Sequence, residues 1–225
     1  MAGSVLVAGG TGALGAAVVN ELAAAGHPVT ATWIVERERE RLEGLSGVEL
    51  VEADLFDADA ARAAVDSVAD LAAVVNLVGG YAEGGRMHEV EPDELDRLIR
   101  LNVRPNWLLA QAAVPRFLDS GGGAFVAISA RPALRPFSGA AAYAISKAAV
   151  LAFVQALDAE YRQDGIRVNA VLPSVIDTPA NRSQQPDADH SKWVAPEEIA
   201  RVIRFLISGE SDPISGAGIP VYGKA

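Results

Sequence analysis

Ser4-Val-Leu-Val-Ala8 followed by Gly9-Gly-Thr-Gly-Ala-Leu-Gly15 is an apolar run that breaks into glycines and then opens an Ala-rich stretch. Five small or aliphatic residues in a row suit a buried strand. Ala13 to Ala25 then reads as a helix, stopped by Gly26. Glycines 9, 12 and 15 lie between them at GxxGxxG spacing. Missing side chains there allow a tight turn, a close approach of phosphate, and close helix-strand packing. A pyrophosphate would meet the helix N-terminus at this turn, which is how a dinucleotide is held.

The same alternation continues outward along the chain. Val29 to Trp33, Val48 to Glu52, Leu71 to Val78, Ala124 to Ser129, Ile166 to Leu172 and Gly218 to Tyr222 read as further strands. Helices are expected over Glu36 to Leu45, Ala58 to Ala69, Ala142 to Tyr161 and Pro196 to Ile207. Glu91 to Leu118 carries helical periodicity, interrupted by Pro105 and Pro115. Strands alternating with helices imply one parallel sheet covered on both faces, with right-handed crossovers. The expected fold class is therefore α/β, a single-domain doubly wound parallel sheet over residues 1–225. One polar stretch lacks periodicity, Asp177 to Trp193, and reads as a lid over about residues 177–195.

Composition excludes several functions. The chain has 225 residues, is 50% hydrophobic, and can bury a sizeable core. It has no cysteine, so thiolate nucleophiles and thiolate metal sites are out, and three scattered histidines give no ligand spacing. A net charge of −10 opposes an extended nucleic-acid footprint. No run of about 18 apolar residues suggests a membrane span. The N-terminus has no basic region, and Val5 to Val7 is too short for a signal core. A soluble cytoplasmic protein with a small-molecule substrate, and without metal, membrane or nucleic acid, is the expectation.

The chemistry-bearing residues sit at strand ends. Asp54, before Leu55, follows the third strand and either accepts a hydrogen bond from an adenine amino group or caps the next helix. Asn76 to Gly79 ends the fourth strand, where a glycine lets the chain pass close to a ribose. Tyr143 and Lys147 stand at i, i+4, on one face of a helix. An ammonium beside a phenol favours the ionised phenol, which makes a proton donor and acceptor near neutral pH. The second strand ends at Trp33 without the acid that would bind an NAD 2′-hydroxyl. Arg37 and Arg39 follow and either meet a 2′-phosphate or pair with the surrounding glutamates. NADP is thus expected ahead of NAD.

Taken together these residues resemble the short-chain dehydrogenase/reductase family over essentially the whole chain. The resemblance rests on the glycine turn (Gly9, Thr11, Gly12, Ala13, Leu14, Gly15), Asp54, Asn76 to Gly79, Asn102, Tyr143 with Lys147, and Pro173 to Thr178. It implies a Rossmann-like fold, an NAD(P)-dependent oxidoreductase, and a homotetramer or homodimer. Tyr143 would be the acid/base, Lys147 would bind the nicotinamide ribose and lower the Tyr143 pKa, and Asn102 would hold a water linking Lys147 to solvent. Pro105 supports that last role, because it cannot donate to the Leu101 carbonyl and should kink the helix beside Asn102. Val175, Ile176 and Thr178 would contact the carboxamide.

One position departs from the family pattern. A serine usually stands thirteen residues before the tyrosine, where this chain has Ala130, preceded by Ser129. Strand alternation turns Ser129 to the opposite face from Ala130. Losing an oxyanion donor costs roughly 10²–10³ in rate for a substrate that depends on it. The dihydropteridine reductase branch of the family is similar here and also in Gly79 to Gly85, Ala130 to Leu134, and Val171 to Arg182 with Trp193. That branch reduces a quinonoid C=N. Tyr81 and Trp193 either line an aromatic-accepting pocket or serve packing. The expected activity is hydride transfer from nicotinamide to a C=O or C=N substrate with Tyr143 as proton donor. The alternative is a dinucleotide-binding regulator or scaffold without turnover.

Overall fold

The run Ser4–Ala8 forms strand β1, and each of its residues after Ser4 is buried. A strand apolar on both faces must be covered on both sides, the condition of a parallel sheet. The computed structural model describes residues 3–224 and supplies that cover. Strands β2 (Val29–Trp33), β3 (Val48–Glu52), β4 (Leu71–Asn76), β5 (Gly123–Ile128), β6 (Ile166–Pro173) and β7 (Gly218–Val221) join β1 in one sheet of order β3-β2-β1-β4-β5-β6-β7. Every pairing is parallel.

Helices α1 (Ala13–Ala24), α2 (Glu36–Arg39), α3 (Ala58–Asp66), α4 (Pro92–Ser120), α5 (Ala141–Tyr161), α6 (Pro179–Gln184) and α7 (Pro196–Ile207) connect the strands. Strand alternation divides the core in two. Val5 and Val7 point to the side of Val18, Leu22, Ile199 and Ile203, from α1 and α7. Leu6 and Val74 point to the side of Leu109, Phe117 and Val154, from α4 and α5. Strand order reverses between β1 and β4, which opens a crevice at their C-terminal ends.

Two expectations about helices need correction. The charged helix predicted from Glu36 to Leu45 ends at Arg39, and turns carry the chain to Gly44, which sits at φ 77°. The residues of α2 are charged and none is buried, so packing does not add to its propensity, and Leu42 enters the core from the turns that follow. Conversely, α4 runs unbroken through Pro105 and Pro115. The proline at 105 removes the donor for the Leu101 carbonyl, but its ring is buried and α4 is clamped against α3, α5 and the sheet. Packing here outweighs propensity. The stretch from Ala141 to Asp164 is the one helical segment among the described residues long and apolar enough to cross a membrane. It lies against α4 and β6 and carries buried Lys147 and Asp158.

Candidate active site

The glycine turn is built for an anion. Gly9 adopts φ 74°, and its amide donates to Thr32 Oγ1 at 2.9 Å. Gly12 caps α1 without a side-chain cap, so the first amides of α1 keep their donor capacity. A Cβ on Gly15 would lie 2.3 Å from the Gly9 carbonyl oxygen, so only glycine lets α1 sit this close to β1. Beside this turn runs a groove of about 280 Å³ walled by Gly9, Thr11, Gly12, Trp33, Asp54, Leu55 and Gly79, among others. A cradle closed to side chains, uncapped amides and an apolar wall suit a dinucleotide. Ala13 and Leu14 open α1 behind it.

Of the two arrangements expected for the arginines, pairing with neighbouring glutamates is the one seen at Arg39. Arg37 lies on the exposed surface and does not wall the groove. Arg39 lies over the Trp33 ring, 5.5 Å from its centroid, and pairs with Glu36 at 3.1 Å. Arg41, which the sequence reading passed over, donates to the Thr11 carbonyl at 2.6 Å and pairs at 3.2 Å with Glu38, a wall residue. In a run of alternating charges, sequence does not say which member reaches the loop. Asp54 walls the groove and accepts from the Phe56 amide at 3.0 Å, while the cap of α3 is Asp57.

Gly79 joins this groove to the polar cluster. A Cβ there would lie 2.6 Å from Asn102 Oδ1 and 3.2 Å from Lys147 Nζ. Asn102 Oδ1 accepts from the Gly80 amide at 2.9 Å, and its Nδ2 donates to the Gly80 carbonyl and to Ser146 Oγ. Ser146, also missed, donates to the Tyr143 carbonyl at 2.8 Å. Lys147 is buried and donates to the Ile128 carbonyl at 3.1 Å, with Nζ 5.9 Å from the Tyr143 ring centroid. Burial pushes the Lys147 ammonium down to about 8. Burial also pushes the Tyr143 phenol up to about 12. This reverses the expectation that the ammonium holds the phenol low, because desolvation penalises both charged forms. The resting phenol therefore carries its proton.

Ala130 is buried against Tyr143 and Leu98, so a methyl group stands beside the phenol. The Ser129 hydroxyl donates to the Lys147 carbonyl at 2.7 Å and so braces α5. Tyr81 meets Tyr143 edge-on, 4.9 Å between centroids, and its hydroxyl bonds to Glu83. Burial, with the Glu83 carboxylate beside it, raises the Tyr81 phenol. Next to Tyr143 opens a cavity of about 480 Å³ lined by Ala82, Met87, Leu95, Leu98, Ala142 and other residues. Pro173, the last residue of β6, is buried, and beyond it the Val175 carbonyl accepts from the Val194 amide. Asn181 Nδ2 donates to the Ile176 carbonyl, and Thr178 caps α6. The polar stretch after Thr178 holds α6 and a 3₁₀ turn, with Trp193 packed on His190 at 4.3 Å.

A family model described as enoyl-(acyl carrier protein) reductase matches residues 9–223. The chain belongs to the short-chain dehydrogenase/reductase family. As a member it is an NAD(P)-dependent oxidoreductase. It is 31% identical to the cyclic-di-GMP-binding biofilm dispersal mediator protein of Escherichia coli (strain K12), over 95% of this chain and 93% of that one. It is 32% identical to the 2-(R)-hydroxypropyl-CoM dehydrogenase of Xanthobacter autotrophicus, over 76% and 74%. Its fold matches a short-chain type dehydrogenase/reductase from Mycobacterium ulcerans with a TM-score of 0.92 at 25% identity, covering all of this chain and 90% of that one.

Proposed function

We propose that this dehydrogenase/reductase reduces a C=O or C=N bond, with Tyr143 as the proton donor. The observation that carries this reading is Gly79. It walls the groove suited to the dinucleotide and faces both Lys147 Nζ and Asn102 Oδ1. The bound nicotinamide supplies the hydride. Tyr143, protonated at neutral pH, gives its proton to the receiving oxygen or nitrogen. Lys147, while charged, stabilises the phenolate left behind. Asn102 ties the Gly80 backbone to Ser146 and so fixes α4 against the start of α5. Ala130 offers no hydroxyl to the substrate, which favours substrates already activated at the heteroatom, a quinonoid dihydropterin among them. The test is NADPH and NADH oxidation over a panel of quinonoid dihydropterin, quinones and small ketones, and failure on every member would remove the reading.

The pH dependence follows from the two buried groups. The phenol holds its proton to about 12 and the ammonium holds its charge to about 8. The reductive kcat/KM is therefore expected to be flat from about pH 6 to 7.5 and to fall as Lys147 loses its charge near pH 8. A kcat/KM–pH profile rising through that range would contradict the assigned roles.

NADP remains the proposed cofactor, with Arg41 and Arg39 replacing Arg37 as the phosphate-facing arginines. A 2′-phosphate near Thr11 would draw Arg41 from Glu38. Arg41→Ala should raise the Kd for NADPH by roughly tenfold or more, and that for NADH far less, as for loss of one charged hydrogen bond. Equal weakening of both would make Arg41 only a brace for the loop.

A second reading is a dinucleotide-binding regulator, favoured by the name of the Escherichia coli relative and by Ala130. Tight dinucleotide binding without turnover on the panel would support it. We also propose pairing of chains through α4 and α5, where Trp107 and Ile145 are 62% and 45% exposed. Sedimentation as a monomer would exclude that pairing.

A further inference from the structure

Two polar atoms among the described residues are buried without a hydrogen-bond partner, Asn76 Nδ2 and Asn106 Oδ1. One is a donor and the other an acceptor. Each amide is fixed in orientation by its other atom. Asn76 Oδ1 accepts from the Val78 amide at 3.0 Å, and Asn106 Nδ2 donates to the Asn102 carbonyl at 2.8 Å. Flipping either amide would set like groups against each other. Both residues are almost fully buried, at 1% and 2% exposure.

The two orphan atoms face the same layer. On β4, Val74 packs on the α4–α5 side and Val75 on the opposite side. Alternation then points Asn76 toward α4. On α4, Leu109, Ala113 and Phe117 pack on that same side, and Asn106 is buried about one turn before Leu109. Their heights agree as well. Phe117 lies against Gly123, and Ala127 of β5 pairs with Asn76. Rising from Gly123 to Ala127 covers about 13 Å of strand. Running back from Phe117 to Asn106 covers about 16 Å of helix, which ends within about one helical turn of Asn76.

We propose that a single internal water closes this gap, accepting from Asn76 Nδ2 and donating to Asn106 Oδ1. Buried polar groups are almost always satisfied, and a polar niche with two partners is where an internal water resides. The bridge makes Asn106 a positioning residue. It pins α4 to the end of β4 at the turn where Pro105 removes a backbone donor, and its own amide holds the Asn102 carbonyl. Asn102 in turn carries Gly80 and Ser146, and with them the distance from Lys147 to Tyr143. This role rests on the active-site reading above, whereas the water itself does not.

Two measurements decide it. A high-resolution crystal structure of the unaltered protein is expected to show an ordered water within hydrogen-bond distance of both amide atoms. A layer without that water overturns the bridge. Asn106→Leu, close in size but unable to hold the water or the Asn102 carbonyl, is expected to lower kcat about tenfold, to leave the NADPH Kd within about twofold, and to displace the alkaline limb of the kcat/KM–pH profile. An unchanged kcat, or a loss confined to NADPH binding, overturns the positioning role. Should Asn106→Leu fail to fold, Asn106→Ala, which likewise has no side-chain group for the water or the Asn102 carbonyl, is read the same way. If the unaltered chain turns over no member of the panel, the active-site reading fails, and the crystal structure still decides the bridge.

Discussion

Tyr143→Phe is expected to lower NADPH-dependent turnover by roughly 10²–10⁴-fold, the usual worth of a positioned general acid. The dinucleotide Kd should stay within about twofold, because the ring remains and only a transition-state proton is lost. Stability should not fall. Burial alone shifts this phenol, so removing the hydroxyl deletes a desolvated polar atom and creates no cavity. The edge-on contact with Tyr81 also survives, since it uses the rings. Steady-state kinetics on the most active panel member, with fluorescence titration of NADPH and a melting curve, separate these effects. Turnover unchanged in the variant would remove Tyr143 from proton transfer and leave hydride transfer standing. A loss well under a hundredfold would fit a substrate that takes its proton from water, a case the methyl of Ala130 makes relevant.

How far the sequence could be read depended on whether local chemistry or long-range packing decided each feature. Strand β1, the glycine turn and the opening of α1 were legible because absent side chains and an apolar run have few uses in that order. The end of α2 and the continuity of α4 were not. Propensity argues for a helix across Glu36 to Leu45 and against one through Pro105; the first has no buried face over α2 to hold it, and packing overrides the second. The pairing of Tyr143 with Lys147 followed from spacing, but the direction of their pKa shifts did not. Spacing says that two groups are near each other, and only burial says that desolvation outweighs their attraction. Arg41 and Asn106 were hidden for a related reason. Each acts through one backbone carbonyl, of Thr11 and Asn102, whose position depends on the fold around it.

Gly15→Ala is expected to be the most damaging single-methyl change to cofactor binding. The added Cβ would lie 2.3 Å from the Gly9 carbonyl oxygen and 2.5 Å from that of Gly10, both backbone atoms of the turn itself. No rotamer relieves a clash made by Cβ, so α1 must move away from β1. That movement strips packing from Val18, Val19 and Leu22, all fully buried against the sheet. Overpacking of this kind costs about 1–3 kcal/mol, and each kcal/mol lowers Tm by roughly 2–4 °C for a domain of this size. The same movement carries the first amides of α1 off the phosphate position, so the dinucleotide Kd should rise by at least roughly tenfold. Gly12→Ala is the control. Its Cβ meets only the Gly9 carbonyl oxygen at 3.5 Å, an ordinary contact, and Gly12 has φ −63°. That variant should keep the parent Tm and yet bind the dinucleotide more weakly, because its methyl enters the groove where phosphate approaches. Differential scanning calorimetry and NADPH titration on the pair separate helix seating from phosphate access. Parent-like melting and binding in Gly15→Ala would mean that the turn does not hold α1 as tightly as its geometry requires.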